Sequence, residues 1–229
     1  MFFPLWDPTF ILLIPAFIFA IWAQAKVKSA FNKWSKVSTT SGITAAEMAK
    51  LILNSYGLST IPVKEVPGEL TDNYNPIKKE LNLSETVFSS DSVAAVGVAA
   101  HEAGHAIQHN KGYLPLFVRN AIYPVANLGS MLAFPLFFLG LILGYNKFLI
   151  DLGIWLFIGF VAFTLITLPV EFDASKRAIK ILTNSGYLNS MEIKGVKEVL
   201  TAAALTYVAA ALSALINLLR LLILRNEAE

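Results

Sequence analysis

Two neighbouring stretches in the second half of this chain carry no charge, the residues between Arg119 and Lys147 and those between Asp151 and Glu171. Each is long enough to cross a hydrocarbon layer as a helix, which takes about 20 predominantly apolar residues. The short Gly144-Tyr145-Asn146 turn joins them, so they read as a transmembrane hairpin over 120–170. Pro124 and Pro135 are tolerable in membrane helices, and Gly140 with Gly144 forms a small-xxx-small pair suited to close helix packing.

Two more apolar runs flank the hairpin. The first, 8–25, has no charged side chain. Its start is too poor in positive charge for a signal peptide and no small-residue cleavage site precedes a soluble domain, so it reads as a retained anchor with Trp6 and Trp22 at the two interfaces. Lys26, Lys28, Lys33 and Lys36 follow it with no acid among them. The last run is Ala-rich, from Leu200 to Leu219, and reads as a membrane helix over 200–224 that ends around Arg220 and Arg225. Composition agrees, since 55% hydrophobic and 15% charged residues do not suit a soluble protein of 229 residues. A net charge of +2, with no basic block interleaved with aromatics, argues against nucleic acid as a partner. The lack of cysteine excludes a disulfide framework and thiol chemistry.

The region 26–119 has a different texture. Thr44 and Glu47 form a T-x-x-E capping box ahead of Met48, Leu51 and Ile52, which predicts a short amphipathic helix. Ile61 to Val66 and Glu80 to Leu83 are β-like, separated by the turn signals Pro67-Gly68 and Asn75-Pro76, and predict a small sheet.

Next comes the run from Val93 to Asn110, which contains no proline and has Glu102 as its only acid, with Asp91 and the serines before it as helix caps. It holds His101, Glu102 and His105 in the order H-E-x-x-H. Residues four apart on a helix share a face, so the two imidazoles can close on one zinc ion. Glu102, beside the first ligand, can take a proton from a zinc-activated water and hand it to a leaving amine. Small Ala103 and Gly104 would let another element approach. The chain has only three histidines, all on this helix. His109 is eight residues from His101, roughly 12 Å along the axis, too far to share an ion with it. It reads as a polar helix-end residue. The longer H-E-x-x-H-x-x-G-x-x-H pattern fails at Gln108 and Lys111.

A third protein ligand must then be a carboxylate, with a downstream glutamate the best candidate. Two spans return the chain to the face it left, so Glu171, the first charge after the hairpin, emerges on the side of His101. The residues alone leave Glu171 divided between ligating metal and pairing with Lys176 or Arg177.

The segment His101-Glu102-Ala103-Gly104-His105, taken with Pro169-Val170-Glu171-Phe172-Asp173-Ala174-Ser175 beside membrane spans, resembles the YugP-like neutral zinc metallopeptidases, a family of membrane proteases. The likeness extends to Asp7-Pro8-Thr9, Lys26-Val27-Lys28-Ser29 and 200–207. More distantly the arrangement is similar to the CAAX-processing and quality-control membrane zinc proteases, in which a glutamate of an E-F-x-A-D segment is the third ligand. That resemblance implies Glu171 as the ligand here. Ser175 departs from it, standing where those relatives have an aspartate, so the contact that aspartate makes behind the ligands is not implied.

The expected fold is a mainly α membrane protein with about four transmembrane helices and a small α+β zincin-like catalytic part, in which 171–199 carries the third ligand. The expected function is a membrane-bound zinc endopeptidase. Zn2+ would be held by His101, His105 and Glu171, and Glu102 would act as general base and then acid. Tyr74, Asn73 and Arg177 are candidates to stabilise the oxyanion. Substrates would be proteins or peptides, membrane proteins among them, bound in extended form against Glu80 to Leu83. An intramembrane-cleaving metalloprotease is the rival enzyme, but Asp91 and Lys111 bound a run too short and polar to span. A scaffold with structural zinc is the non-enzymatic rival, but such closed sites use four protein ligands and this chain offers three. The positive-inside bias of the Lys26 to Lys36 cluster and of Lys176, Arg177 and Lys180 places the protein in the cell membrane as a multi-pass chain with its site on the cytoplasmic face.

Overall fold

The computed structural model describes residues 8–226; Trp6 and Asp7 lie outside them. A 3-10 turn, Pro8–Leu12, leads into α1 (Leu13–Trp34), then α2 (Ala45–Ser55), β1 (Val63–Val66), β2 (Asn73–Asn75) and β3 (Glu80–Ser84). The one-turn α3 (Glu85–Phe88) is followed by α4 (Val93–Asn110), α5 (Leu114–Ile142), α6 (Lys147–Ser185) and α7 (Ser190–Asn226). The chain is mainly helical with one small sheet. Among the described residues four helices are long and apolar enough to cross a membrane: Pro8–Trp34, α5, α6 and α7. Helix α4 is not among them.

The chain divides into two compact units. One comprises Val118–Leu168 with the start of α1 and the part of α7 from Thr206 onward. Its core is aromatic and aliphatic, with Phe137, Ile154, Phe157 and Leu221 buried together. Backbones come close where glycine removes the side chain: a Cβ on Gly129 would lie 2.3 Å from the Leu156 carbonyl, and one on Gly153 2.7 Å from that of Ala133. Of the glycine pair expected to pack, only Gly140 does so; Gly144 meets nothing within 4 Å and serves the turn, at φ +74°. Asn146 then caps α6, its side-chain oxygen accepting from the Leu149 N–H. At that end of α6, Asp151 pairs with Arg225 of α7 at 2.8 Å.

The other unit is Ala25–Phe117 with Pro169–Leu205. Helix α2 starts as its capping box requires: the Thr44 hydroxyl accepts from the Glu47 N–H while the Glu47 carboxylate accepts from the Thr44 N–H. Ser92, rather than Asp91, caps α4 by accepting from the Ala95 N–H. Helix α6 continues past the end of its apolar run because Val170, Ala174, Ala178 and Leu182, one turn apart, are all fully buried. Glu171 therefore sits mid-helix. Ala178 and Leu182 join Met48, Leu53, Leu81, Leu83, Val93 and Ile107 in the unit's core.

The sheet order is β1-β3-β2, with β1 parallel and β2 antiparallel to β3. This corrects the expectation that Glu80 to Leu83 offers free backbone groups to a substrate. Strand β3 is central, with both edges paired, and the open edges belong to β1 and β2. Its alternation of polar and apolar residues does not mean a wet face, because all five positions are buried. Glu80 pairs with Lys64, Asn82 donates to Asn73 Oδ1 at 3.2 Å, and Ser84 donates to Asp72.

Candidate metal centre

The helical repeat of α4 places His101 and His105 on one face, rings 4.7 Å apart and edge to face. Helix α6 presents Glu171 to both: its Oε2 is 3.2 Å from His101 Nε2 and 3.6 Å from His105 Nε2. One ligand atom from each of the three residues lies within 4.8 Å of the others. His105 and Glu171 are buried and His101 is half-buried, so the cluster opens on the His101 side. The two helices can come this close because position 104 is glycine. A Cβ there would stand 2.8 Å from the Ala174 carbonyl oxygen and 3.3 Å from the Ala174 Cα.

Behind the imidazoles are two polar side chains. Ser175 Oγ is 3.1 Å from His101 Nδ1, and Gln108 Oε1 is 2.9 Å from His105 Nδ1. With each Nδ1 occupied in this way, each Nε2 points at the shared carboxylate. Ser175 thus presents a hydroxyl behind His101. Two imidazole nitrogens and one carboxylate oxygen, converging on a common point with an open side, fit zinc with a free coordination position.

Glu102 is buried next to this cluster, and that burial pushes its carboxyl up to about 7, against the opposing pull of His101 and of a hydrogen bond from the Tyr74 backbone N–H. The donor lies on β2, so an edge strand of the sheet borders the general-base candidate. Tyr74 is held at its other end too, its hydroxyl 2.9 Å from His109 Nδ1. His109 is therefore more than a polar helix end: it ties α4 to β2, packs against Phe117, and is made less basic first by burial and then by Lys79. Of the other oxyanion candidates, Asn73 is bonded to Thr71 and Asn82, and Arg177 to Asp173. Asp173, two residues after Glu171, is engaged by Arg177 and Gln108.

Gln108 and the Tyr74 N–H were not singled out by the sequence. The signal for Gln108 was slight, a polar residue three positions after His105 in an otherwise apolar turn; a backbone donor leaves no signal.

A two-histidine, one-glutamate cluster in a chain that also has four membrane-length apolar helices among its described residues has the donor set of a zinc peptidase, and the comparison with known proteins agrees. Residues 9–226 match the family described as "Putative neutral zinc metallopeptidase", and the chain belongs to that family. It is 51% identical over 209 residues to the "Putative membrane protease YugP" of Bacillus subtilis (strain 168), covering 91% of this chain and 92% of that protein. No solved structure matches the chain.

Proposed function

We propose that the chain is a membrane-bound zinc-dependent endopeptidase whose metal is held by His101, His105 and Glu171. The observation that carries this reading is the convergence of those three ligand atoms beside the buried Glu102. Zinc bound there would act as a Lewis acid toward a peptide carbonyl and would acidify water. The chain's own residues do the rest. Glu102 accepts a proton from the attacking water and returns it to the leaving amine, with its carboxylate oriented by the Tyr74 N–H. An extended substrate finds its backbone partners on the open edge of β2, beside Glu102.

The four long apolar helices are read as spans 8–25, 120–170 as a hairpin, and 200–224, which leaves 26–119 and 171–199 to form the catalytic part at one membrane face. The lysines after the first span and those after Glu171 favour the cytoplasmic face. Substrates on this reading are polypeptides reached from the bilayer surface, membrane proteins included. Cleavage inside the bilayer is disfavoured because α4 is not a span-length apolar helix. A structural zinc is disfavoured because the cluster offers three protein ligands among the described residues.

The test is Glu102→Gln, assayed on unfolded soluble and membrane substrates alongside metal analysis. The expected result is retained zinc with hydrolysis abolished, since an amide cannot accept the proton. Undiminished hydrolysis would remove Glu102 from the mechanism.

A further inference from the structure

Gln108 lies within one helical turn of His105, and its side chain is fully buried. A glutamine amide has one acceptor oxygen and two donor protons. The nitrogen here is 2.8 Å from the Val170 carbonyl and 2.8 Å from Asp173 Oδ2, while the oxygen is 2.9 Å from His105 Nδ1. A carbonyl only accepts. Asp173 Oδ2 also receives the Arg177 Nε–H, from a guanidinium that only donates and stays charged. The direction of every bond in the row follows. Arg177 donates to Asp173, Gln108 donates to Asp173 and Val170, and Gln108 is left to accept from His105.

His105 Nδ1 therefore carries the ring proton, and the lone pair is on Nε2, the atom that faces Glu171. Val170 and Asp173 bracket Glu171 on α6, so the same amide also fastens the helix of the imidazoles to the helix of the carboxylate. His101 has no equivalent lock, because the Ser175 hydroxyl at its Nδ1 can donate or accept.

We propose that Gln108 is a positioning residue of the metal centre, whose amide, polarised by the Arg177–Asp173 pair, fixes the His105 tautomer and holds α4 and α6 at the separation a shared ion requires. This rests on the zinc-site reading above. Shape alone would not suffice. Gln108→Glu keeps the volume and the acceptor for His105, but it removes both donors and sets a second carboxylate against Asp173 and the Val170 carbonyl. Asp173→Asn added to it relieves the repulsion: with the new amide's nitrogen in the place of Oδ2, its N–H donates to the carboxylate at position 108, which accepts from His105, while Arg177 loses that acceptor and the Val170 carbonyl stays without the donor.

The experiment measures zinc affinity by chelator competition on the full chain in detergent, for wild type, Gln108→Glu, Asp173→Asn and the double variant, with thermal unfolding as a check on folding. Gln108→Glu is expected to weaken zinc binding by about 10- to 100-fold, the usual range for a group behind a metal ligand. The double variant is expected to bind about tenfold or more tighter than Gln108→Glu, a coupling that a space-filling role does not produce. Wild-type affinity in Gln108→Glu, or no recovery in the double variant, would overturn the proposal while leaving the zinc site standing. If Gln108→Glu does not fold, Gln108→Met, which fills the space without donors, takes its place with the same expected loss and the same overturning result. A wild-type chain that binds no zinc would overturn the underlying reading, and this one with it.

Discussion

Replacing Gly104 by alanine is a one-carbon change that the structure converts into a displacement at the ligands. The added Cβ would lie 2.8 Å from the Ala174 carbonyl oxygen, with the Ala174 C and Cα at 3.3 Å. All three atoms are backbone of α6, so no rotamer can relieve the contact. Reaching ordinary contact, which begins near 3.4 Å, requires α6 to back away by about 0.6 Å. Glu171 precedes Ala174 by one helical turn and moves with it. Metal–ligand distances tolerate roughly 0.2 Å. The strain of overpacking a tight contact is typically about 1–3 kcal/mol, and α6 can relax from it only when no ion holds Glu171 to the histidines. Zinc binding must then oppose that strain, a loss of about 5- to 150-fold in affinity. Chelator competition on Gly104→Ala in detergent measures the loss directly. An unchanged zinc dissociation constant with unchanged thermal stability would refute the inference that the α4–α6 approach sets the site.

Two further outcomes follow from separate parts of the structure. Ser175→Ala removes the partner of His101 Nδ1 and should weaken zinc binding by about tenfold, the lower end for a group behind a ligand; wild-type affinity would show that the 3.1 Å contact is idle. Since the chain has no cysteine, single cysteines at Ser38 and Asn146 can be probed in intact cells with a membrane-impermeant thiol reagent. Labelling is expected at Asn146 and protection at Ser38, and the reverse would overturn the cytoplasmic placement of the site.

The features that were legible in the sequence rest on local periodicity. The charge-free runs, the capping box at Thr44 and Glu47, and the one-turn spacing of His101 and His105 each state their structure within a few residues. The sheet was only half legible. Strand β2 is three residues, Asn73–Asn75, of a composition that favours turns, and it is a strand because β3 supplies its partners. The alternation over Glu80–Ser84 mimicked an open edge, since nothing local reveals that Lys64, Asn73 and Asp72 cover its polar side. Glu171 was undecided between metal and cation from the residues alone, and resemblance settled the expectation. In the structure Arg177 is taken by Asp173 and Glu171 faces the histidines. That choice depends on which side of α6 meets α4, a tertiary fact fixed at Gly104 and Ala174.

The central claim is that His101, His105 and Glu171 together hold zinc. Elemental analysis of the purified, folded full chain tests it most directly, comparing wild type with His105→Ala and Glu171→Ala after equilibration at limiting free zinc. Two imidazoles, or one imidazole and one carboxylate, hold zinc far more weakly than all three. Stoichiometric zinc in wild type and loss of most of it in both variants is the result expected. Full zinc in Glu171→Ala would contradict the assignment and send the search for a third ligand elsewhere, beginning with Asp173.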